Sequence, residues 1–402
     1  MKVFHFYNGN GGGVLSVIRN LILYKQNTEI ENHIIHVINK DLKPDYKIIE
    51  LSGATTEKIF FYSSKWNFYF TSKQLAKYIP DNEVLIIAHD WIELGMISNL
   101  GLQIPLVYIL HGDFDYYYKL SKLHSRNIDL HICVSNIIRK KLTEEYNING
   151  IVQYLRFPVP DTSFDCKQKF NSNLICSFYV RDLNEARKNF LFLPKIDAEL
   201  KKRGIQISWN IAGGGMSYEK FKQKWGEEFN ERIKFWGELT RQEVNLMLRK
   251  SNVFILPSNE EGFPVSLVES MKYGLVPIVP NWGGAINELV IDGKNGYICK
   301  ENCISEYVES LNYLNNNIYL LKSMSLVAQE YANKLFNPIE NTLAYEHAFN
   351  TAFQNKKNKI NFKAYGSNLD RIWLNNTVVV ASRFLINFIS KSAIKFTKNN
   401  NN

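Results

Sequence analysis

Short apolar runs recur along this chain, each followed by a stretch long enough for a helix, and the series runs twice. The first series is Val3–Tyr7, His33–Ile38, Lys58–Tyr62, Val84–Ala88, Leu106–His111, His131–Ser135 and Ile151–Leu155, with helix-length segments such as Val14–Gln26 and Asn136–Tyr146 in between. Strands that alternate with helices pair through crossovers, so they make a parallel sheet covered on both faces. Residues 156–171 break the rhythm. They hold Pro158, Pro160, Asp161 and Ser163 without periodicity, and the expectation is a linker. The alternation restarts at Leu174–Tyr179 and continues through Ser208–Ala212, Ile233–Trp236, Val253–Pro257, Pro277–Val279 and Tyr297–Cys299. A chain of 402 residues suits two such arrays, because single cores stop growing at about 250–300 residues.

The fold class expected is therefore α/β, with two Rossmann-like βα lobes at 1–155 and 172–336 and a cleft between them. Segment 337–355, with a helix over Ile339–Phe353, returns after the second lobe, and residues 356–402 form a tail. Open α/β sheets bind ligands beyond the carboxyl ends of their strands, and two sheets facing each other enclose a deep cleft.

The most informative stretch is Val253–Tyr297. A buried strand leads through Glu260-Glu261-Gly262-Phe263-Pro264 into a helix over Val265–Tyr273, closed by Gly274. Proline is tolerated at a helix start, where its missing N–H costs nothing. Free amides and the helix dipole there favour an anion such as a diphosphate. Glu261 and Glu269, eight positions apart, bracket that site, and ionised carboxylates accept hydrogen bonds from hydroxyls. The pattern suits a nucleotide diphosphate sugar. Gly283-Gly284 adds a place where backbone can approach closely.

Glu261 to Glu269 resembles the E-x7-E signature of family-4 retaining glycosyltransferases of the GT-B fold. Pro257-Ser258, Gly262-Phe263, Gly274, Pro277, Gly283-Gly284, Glu288, Gly293 and Gly296-Tyr297 fall where that family places them. The resemblance implies that Glu261 holds the donor sugar and Glu269 the ribose. It implies Arg181 and Lys188 as the cations on the diphosphate, with Arg187 competing for the second role. Gly262, Phe263, Pro264 and Val265 join the donor site. Pro264 removes one amide, so the Val265 N–H is expected to take its place. Gly213 and Gly214, after the strand Ser208–Ala212, are placed near the nucleotide. His111, at a strand end, is placed on the donor sugar, and Gly12 and Gly13 on the acceptor-facing loop. Asn8–Gly13 lacks the G-x-G-x-x-G spacing of a dinucleotide fingerprint. Asp113-Phe114-Asp115 spells D-x-D, a metal signature of a different glycosyltransferase fold, and is discounted. Tyr116–Tyr118 and His89-Asp90-Trp91 either line the acceptor side or pack.

The expected reaction is transfer of a sugar, with retention, from a nucleotide diphosphate sugar to a hydroxyl of a glycan or lipid-linked acceptor. Surface polysaccharide or lipopolysaccharide synthesis is the expected setting. The nucleotide sugar is a co-substrate, and neither a cofactor nor a metal is expected. Competing readings are a nucleotide-sugar epimerase of similar architecture and a non-catalytic nucleotide-sugar-binding protein.

The net charge of +9 hints at nucleic acid, yet its distribution argues otherwise. Residues 356–402 carry nine Lys or Arg against the single acid Asp370, which leaves the lobes nearly neutral. Arg383, Asn387, Lys391, Lys395 and Lys398 line one side of a helix whose other face is apolar. Such a helix over 376–398 suits an anionic membrane surface, or it docks on the first lobe. Five cysteines without a C-x-x-C motif, no visible signal peptide and no run of about 18 apolar residues point to a cytoplasmic protein, peripheral on the inner face of the cytoplasmic membrane.

Overall fold

The computed structural model describes residues 1–386 except 10–11, 44–45, 47, 49–50, 163–169, 171–173, 183–185, 216–217, 226–231 and 365, and except the side chains of 181, 182 and 186. The first sheet holds β1 (Lys2–Tyr7), β2 (Glu31–Asn39), β3 (Thr56–Tyr62), β4 (Val84–Ala88), β5 (Leu106–Leu110), β6 (Leu130–Cys133) and β7 (Ile151–Tyr154). The second holds β8 (Ile175–Asp182), β9 (Ser208–Gly214), β10 (Ile233–Gly237), β11 (Val253–Ile255), β12 (Val276–Pro280) and β13 (Tyr297–Cys299). Their orders are β3-β2-β1-β4-β5-β6-β7 and β10-β9-β8-β11-β12-β13. Every recorded pairing between these strands is parallel. Strand order reverses between β1 and β4 and again between β8 and β11, which opens a crevice at the carboxyl edge of each sheet. The continuous apolar runs of β4 and β5 are wholly buried, as central strands covered on both faces must be.

Several boundaries differ from the sequence expectation. The strand predicted to end at Tyr179 runs to Asp182, because an irregularity after Tyr179 shifts the register and pairing resumes at Asp182 opposite Gly214. Arg181 therefore belongs to the strand, not to the loop after it. The helix expected over Asn136–Tyr146 is α-helical only for Asn136–Lys140, capped by the Ser135 hydroxyl, and widens to a π-turn over Lys141–Glu145. The helix Pro338–Gln354 replaces the expected Ile339–Phe353, capped by the Asn337 side chain.

The segment read as a linker is built into the core where it is described. Phe157 and Val159 are each 1 % exposed, and the Phe157 ring meets Phe263 and Phe336 at 4.9 and 5.4 Å. The chain passes from first to second lobe here and returns at Phe336. Lys272, buried at the end of the helix Val265–Lys272, ties both crossings together. Its ammonium donates to the carbonyls of Val159 (2.6 Å) and Phe336 (2.9 Å) and pairs with Asp161 (2.8 Å). The returning helix then packs on the first lobe, where the Glu346 carboxylate accepts from the amides of Gln26 and Asn27.

The described part of the tail also lies on the first lobe. Lys359 forms a fully buried ion pair with Asp129. Ile360 exchanges two hydrogen bonds with the Asn127 side chain. The Phe68 amide donates to Asp370, and the Asn67 side chain donates to the carbonyls of Arg371 and Leu374. Residues 376–386 are helical, with Val379 buried and Arg383 donating to the Trp66 carbonyl and pairing with Asp370. This corrects the stripe: Arg383 anchors the helix to the lobe. Positions 387–398 of the expected amphipathic segment lie outside the described residues.

Lys272→Met keeps a packed side chain but leaves the enclosed Val159 carbonyl unpaired and the Phe336 carbonyl with only the Val159 amide at 3.3 Å. Unsatisfied buried groups cost about 1–3 kcal/mol each, so urea unfolding is expected at a clearly lower midpoint. An unchanged midpoint would remove this ammonium from the account of how the lobes are joined.

Candidate functional site

The carboxyl edges of the two sheets share one cavity of about 810 Å³. The first lobe contributes Tyr7, Asn8, Gly12, Gly13, Arg19, His89, Asp90, His111, Tyr116 and Tyr117. The second contributes Tyr179, Arg187, Lys188, Gly213, Glu238, Arg241, Glu269 and the run Glu261–Ser266. The lobes meet closely at glycine. A methyl group on Gly262 would stand 2.8 Å from the His111 carbonyl, and one on Gly13 would stand 3.0 Å from Val265 Cγ2.

On the second lobe, β11 leads through a turn into the helix Val265–Lys272, so Glu261 and the first helical turn face the cavity. Lys188, at the end of the short 3₁₀ turn Ala186–Lys188, places its ammonium 2.9 Å from both oxygens of Glu261. The Ser258 hydroxyl donates to the same carboxylate at 2.6 Å. The two groups assigned separately to sugar and diphosphate thus neutralise each other here. The amide expected to face a ligand does not, because the Val265 N–H donates to the Phe263 carbonyl at 3.0 Å. Pro264 precedes it as a non-helical cap, and the tight turn folds that N–H back. Ser266 is the next amide of the turn; among the described residues it has no acceptor, and it lines the cavity. The Phe263 ring lies against Phe157 and Phe336 at the crossings.

Glu269, 5 % exposed, is held between two groups that sequence reasoning missed. Tyr179 and Arg241 each donate to it at 2.5 Å. The carboxylate beside it pushes the Arg241 pKa up, and burial chiefly pushes that of Tyr179 up. Arg19 stands near both members of the Arg241–Glu269 pair, with its pKa lowered chiefly by burial. A signal for Arg241 was present: Thr240 and Glu243 form a capping box, which puts Arg241 at the first position of its helix.

On the first lobe, His111 follows β5 and lines the cavity, with its Nε2 2.7 Å from His89 Nδ1. Burial lowers its pKa to about 3. Asp90 accepts from Asn8 Nδ2 at 2.7 Å and from the Tyr116 hydroxyl. Behind it, buried Glu93 accepts the amides of His89 and Asp90. Burial and, secondarily, the Asp90 charge raise its pKa to about 8. The D-x-D carboxylates have separate partners: Asp113 holds Lys141 and the Tyr118 hydroxyl at 2.7 Å each, and Asp115 holds Lys119 and Tyr146.

Of the predicted glycines, Gly12, Gly13, Gly213 and Gly262 line the cavity. Gly214, Gly283 and Gly284 do not. Gly214 closes β9 and faces Glu238. Gly283 and Gly284 take φ of +72° and +63° in the turn after β12, and Gly284 looks toward Asp113 and Ile137 of the first lobe. The glycine pair forms a left-handed turn that faces the first lobe. Glu288 bridges the same seam, accepting from the Ile137 amide and the Tyr154 hydroxyl at 3.0 Å each. The Arg181 side chain lies outside the described residues.

Residues 162–334 match the family Glycosyl transferases group 1. An uncharacterized glycosyltransferase of Methanocaldococcus jannaschii is 24% identical over 343 residues, 80% of this chain and 90% of that protein. The lipopolysaccharide 1,6-galactosyltransferase of Escherichia coli K12 is 23% identical over 332 residues, 77% of this chain and 87% of its own length. Among solved structures, Anabaena HepE, determined in complex with UDP and glucose, superposes with a TM-score of 0.66 at 15% identity, over 87% of this chain and 100% of that one. At that identity the likeness speaks for the fold, and the fold is the two-lobed GT-B arrangement. The matched residues 162–334 hold most of the second lobe, with its paired glutamates Glu261 and Glu269.

Proposed function

We propose that this protein transfers a sugar, with retention, from a nucleotide diphosphate sugar to a hydroxyl of a glycan or glycolipid during surface polysaccharide or lipopolysaccharide synthesis. The observation that carries the reading is the Lys188–Glu261 pair at the mouth of a helix whose Glu269 lies in the same cavity. Supporting it are the glycosyl transferases group 1 match and relatives named for lipopolysaccharide galactosyl transfer and colanic acid synthesis.

The geometry works by exchange. An arriving diphosphate takes the Lys188 ammonium, and the Ser266 amide and helix dipole add to its field. Glu261, released from Lys188, accepts the hydroxyls of the donor sugar. Glu269, still carrying Arg241, accepts the ribose hydroxyls. As the glycosidic bond breaks, negative charge grows on the leaving diphosphate, and fixed cations (Lys188, with Arg187 at the rim) stabilise it without reorganising solvent. His111 meets the sugar from the first lobe. Asp90, Tyr116 and Tyr117 face the acceptor. Attack on the face the diphosphate leaves, with the departing phosphate taking the acceptor proton, keeps the anomeric configuration and needs no carboxylate nucleophile. Glu261→Ala should lower transfer by at least about 100-fold, the scale of a lost charge-stabilising contact, with an unchanged far-ultraviolet spectrum. Near-normal turnover in a panel of nucleotide sugars would sink the assignment.

The tail suits an acceptor held in a bilayer. Ile372, Trp373, Val378, Phe384, Leu385 and Ile386 are all more than half exposed, beside the buried anchor Val379. Lys391, Lys395 and Lys398 follow in the sequence. No helix among the described residues is long and apolar enough to cross a membrane. The attachment proposed is a peripheral one, by an amphipathic helix lying at the inner face of the cytoplasmic membrane. The variant Trp373→Ser with Phe384→Ser should lose most sedimentation with vesicles containing phosphatidylglycerol, while its thermal midpoint stays put. Equal sedimentation of variant and parent would refute the attachment.

A further inference from the structure

The cations among the described residues that line the cavity come mostly from the second lobe: Arg187, Lys188 and Arg241. Arg19 is the one from the first. Lys188 is closed on Glu261, and Arg241 on Glu269. Arg19 differs from both. Its guanidinium forms no hydrogen bond and no ion pair with any described residue, and it is partly open to the cavity. Glu269, Arg241 and Tyr7 lie within its electrostatic reach. Glu269 is already engaged, since one carboxylate oxygen holds Arg241 and the other holds the Tyr179 hydroxyl, at 2.5 Å each. A rigid fork of N–H donors is thus turned on the cavity with no protein acceptor taking it.

Two helices set the level at which Arg19 works. It lies six positions after Gly13 on the helix Gly12–Leu23, and Glu269 lies four positions after Val265 on the helix Val265–Lys272. Gly13 and Val265 meet near the helix starts, where a methyl group on Gly13 would stand 3.0 Å from Val265 Cγ2. At 1.5 Å per residue, Arg19 and Glu269 are about 9 and 6 Å along their helices from that contact. They therefore face each other across the cleft, while Lys188 and the Ser266 amide stand at the helix mouth. Side chains on a helix lean toward its N-terminus, so a long one at Arg19 reaches back toward the mouth. A nucleotide diphosphate spans these two levels. With the ribose hydroxyls on Glu269 and the sugar-side phosphate at Lys188, the nucleoside-side phosphate falls between them, in front of Arg19. A guanidinium matches two phosphate oxygens at once.

We propose that Arg19 binds the nucleoside-side phosphate of the donor from the first lobe, so that cations of both lobes hold the diphosphate, Lys188 on one phosphate and Arg19 on the other. The role rests on the proposed transferase function, in which Glu269 holds the ribose. When the glycosidic bond breaks, new charge falls on the sugar-side phosphate, whereas the nucleoside-side phosphate is ionised before and after. Arg19 then contributes equally to the ground state and the transition state, and its loss raises KM more than it lowers kcat.

The test titrates the full-length protein, Arg19→Gln and Arg19→Lys with UDP, UMP and uridine by ligand-observed NMR, and repeats this with the guanosine and adenosine series. Arg19→Gln should weaken the diphosphate and the monophosphate by the same factor, roughly 10-fold or more, and leave the nucleoside unchanged. Arg19→Lys should recover part of the loss, and both variants should keep the parent's thermal midpoint. In turnover of the donor, KM should rise by a similar factor with kcat within about 2-fold of the parent. Unchanged diphosphate affinity in Arg19→Gln overturns the proposal. So does an equal loss for the nucleoside, which marks a structural role, or a loss for the diphosphate without one for the monophosphate, which puts Arg19 on the other phosphate. A parent that binds no nucleoside diphosphate of the three series sinks the transferase reading together with this role. A parent that binds one, matched by Arg19→Gln, sinks this role alone.

Discussion

One enclosed ammonium joins the two lobes, and the site inherits its geometry from it. Lys272 binds the carbonyl of Val159 on the outgoing crossing and that of Phe336 on the returning one, and it pairs with Asp161 beside them. Burial pulls its pKa down, and Asp161 partly offsets that. The same helix begins at Val265 on the cavity and carries Glu269 in its middle. Hinge and ligand groups therefore ride on one rigid rod of eight residues. Phe157 and Phe336 pack the Phe263 ring between them at the same crossings, so the turn that bears Glu261 is braced from behind.

Within the cavity, charge is balanced before any ligand arrives. Lys188 neutralises Glu261, and Arg241 neutralises Glu269. Partly desolvated ions persist only when paired in this way. The two pairs differ in strength of enclosure. The Glu269 pair is also held by Tyr179, inside a wall of the second lobe. The Glu261 pair stands at the turn, with Ser258 as the remaining donor. Under the proposed function, the first serves as a fixed acceptor of hydroxyls and the second as a latch that a diphosphate opens. Affinity for a donor is then the difference between new phosphate contacts and the ion pair given up.

The architecture was legible because parallel sheets write themselves as repeated apolar runs. Thirteen such runs were readable, and each became a strand. The paired glutamates were legible because they lie on one turn and helix, where spacing dictates placement. What failed to show were partners brought together by the fold. Tyr179 and Glu269 are 90 positions apart, and Lys359 finds Asp129 across 230. Arg383 falls on a regular polar stripe, yet its partner Asp370 precedes the helix, so periodicity suggested a membrane-facing cation where there is a contact with the lobe. Gly283-Gly284 carries the same sequence mark in a left-handed turn as in a phosphate loop, so the sequence could not tell that the turn faces the first lobe. The Val265 amide was misplaced for a finer reason: helix position alone does not reveal that Pro264 turns the next N–H back on Phe263.

The claim on which all of this depends is that Lys188 changes partners when the donor binds. A crystal structure with UDP-glucose or UDP-galactose bound tests it most directly. The account predicts the diphosphate at the start of the helix Val265–Lys272, Lys188 Nζ about 2.8 Å from a phosphate oxygen and withdrawn from Glu261, the ribose on Glu269, and a sugar hydroxyl on Glu261. A nucleotide seated elsewhere, or Lys188 still closed on Glu261 beneath a bound donor, would contradict it.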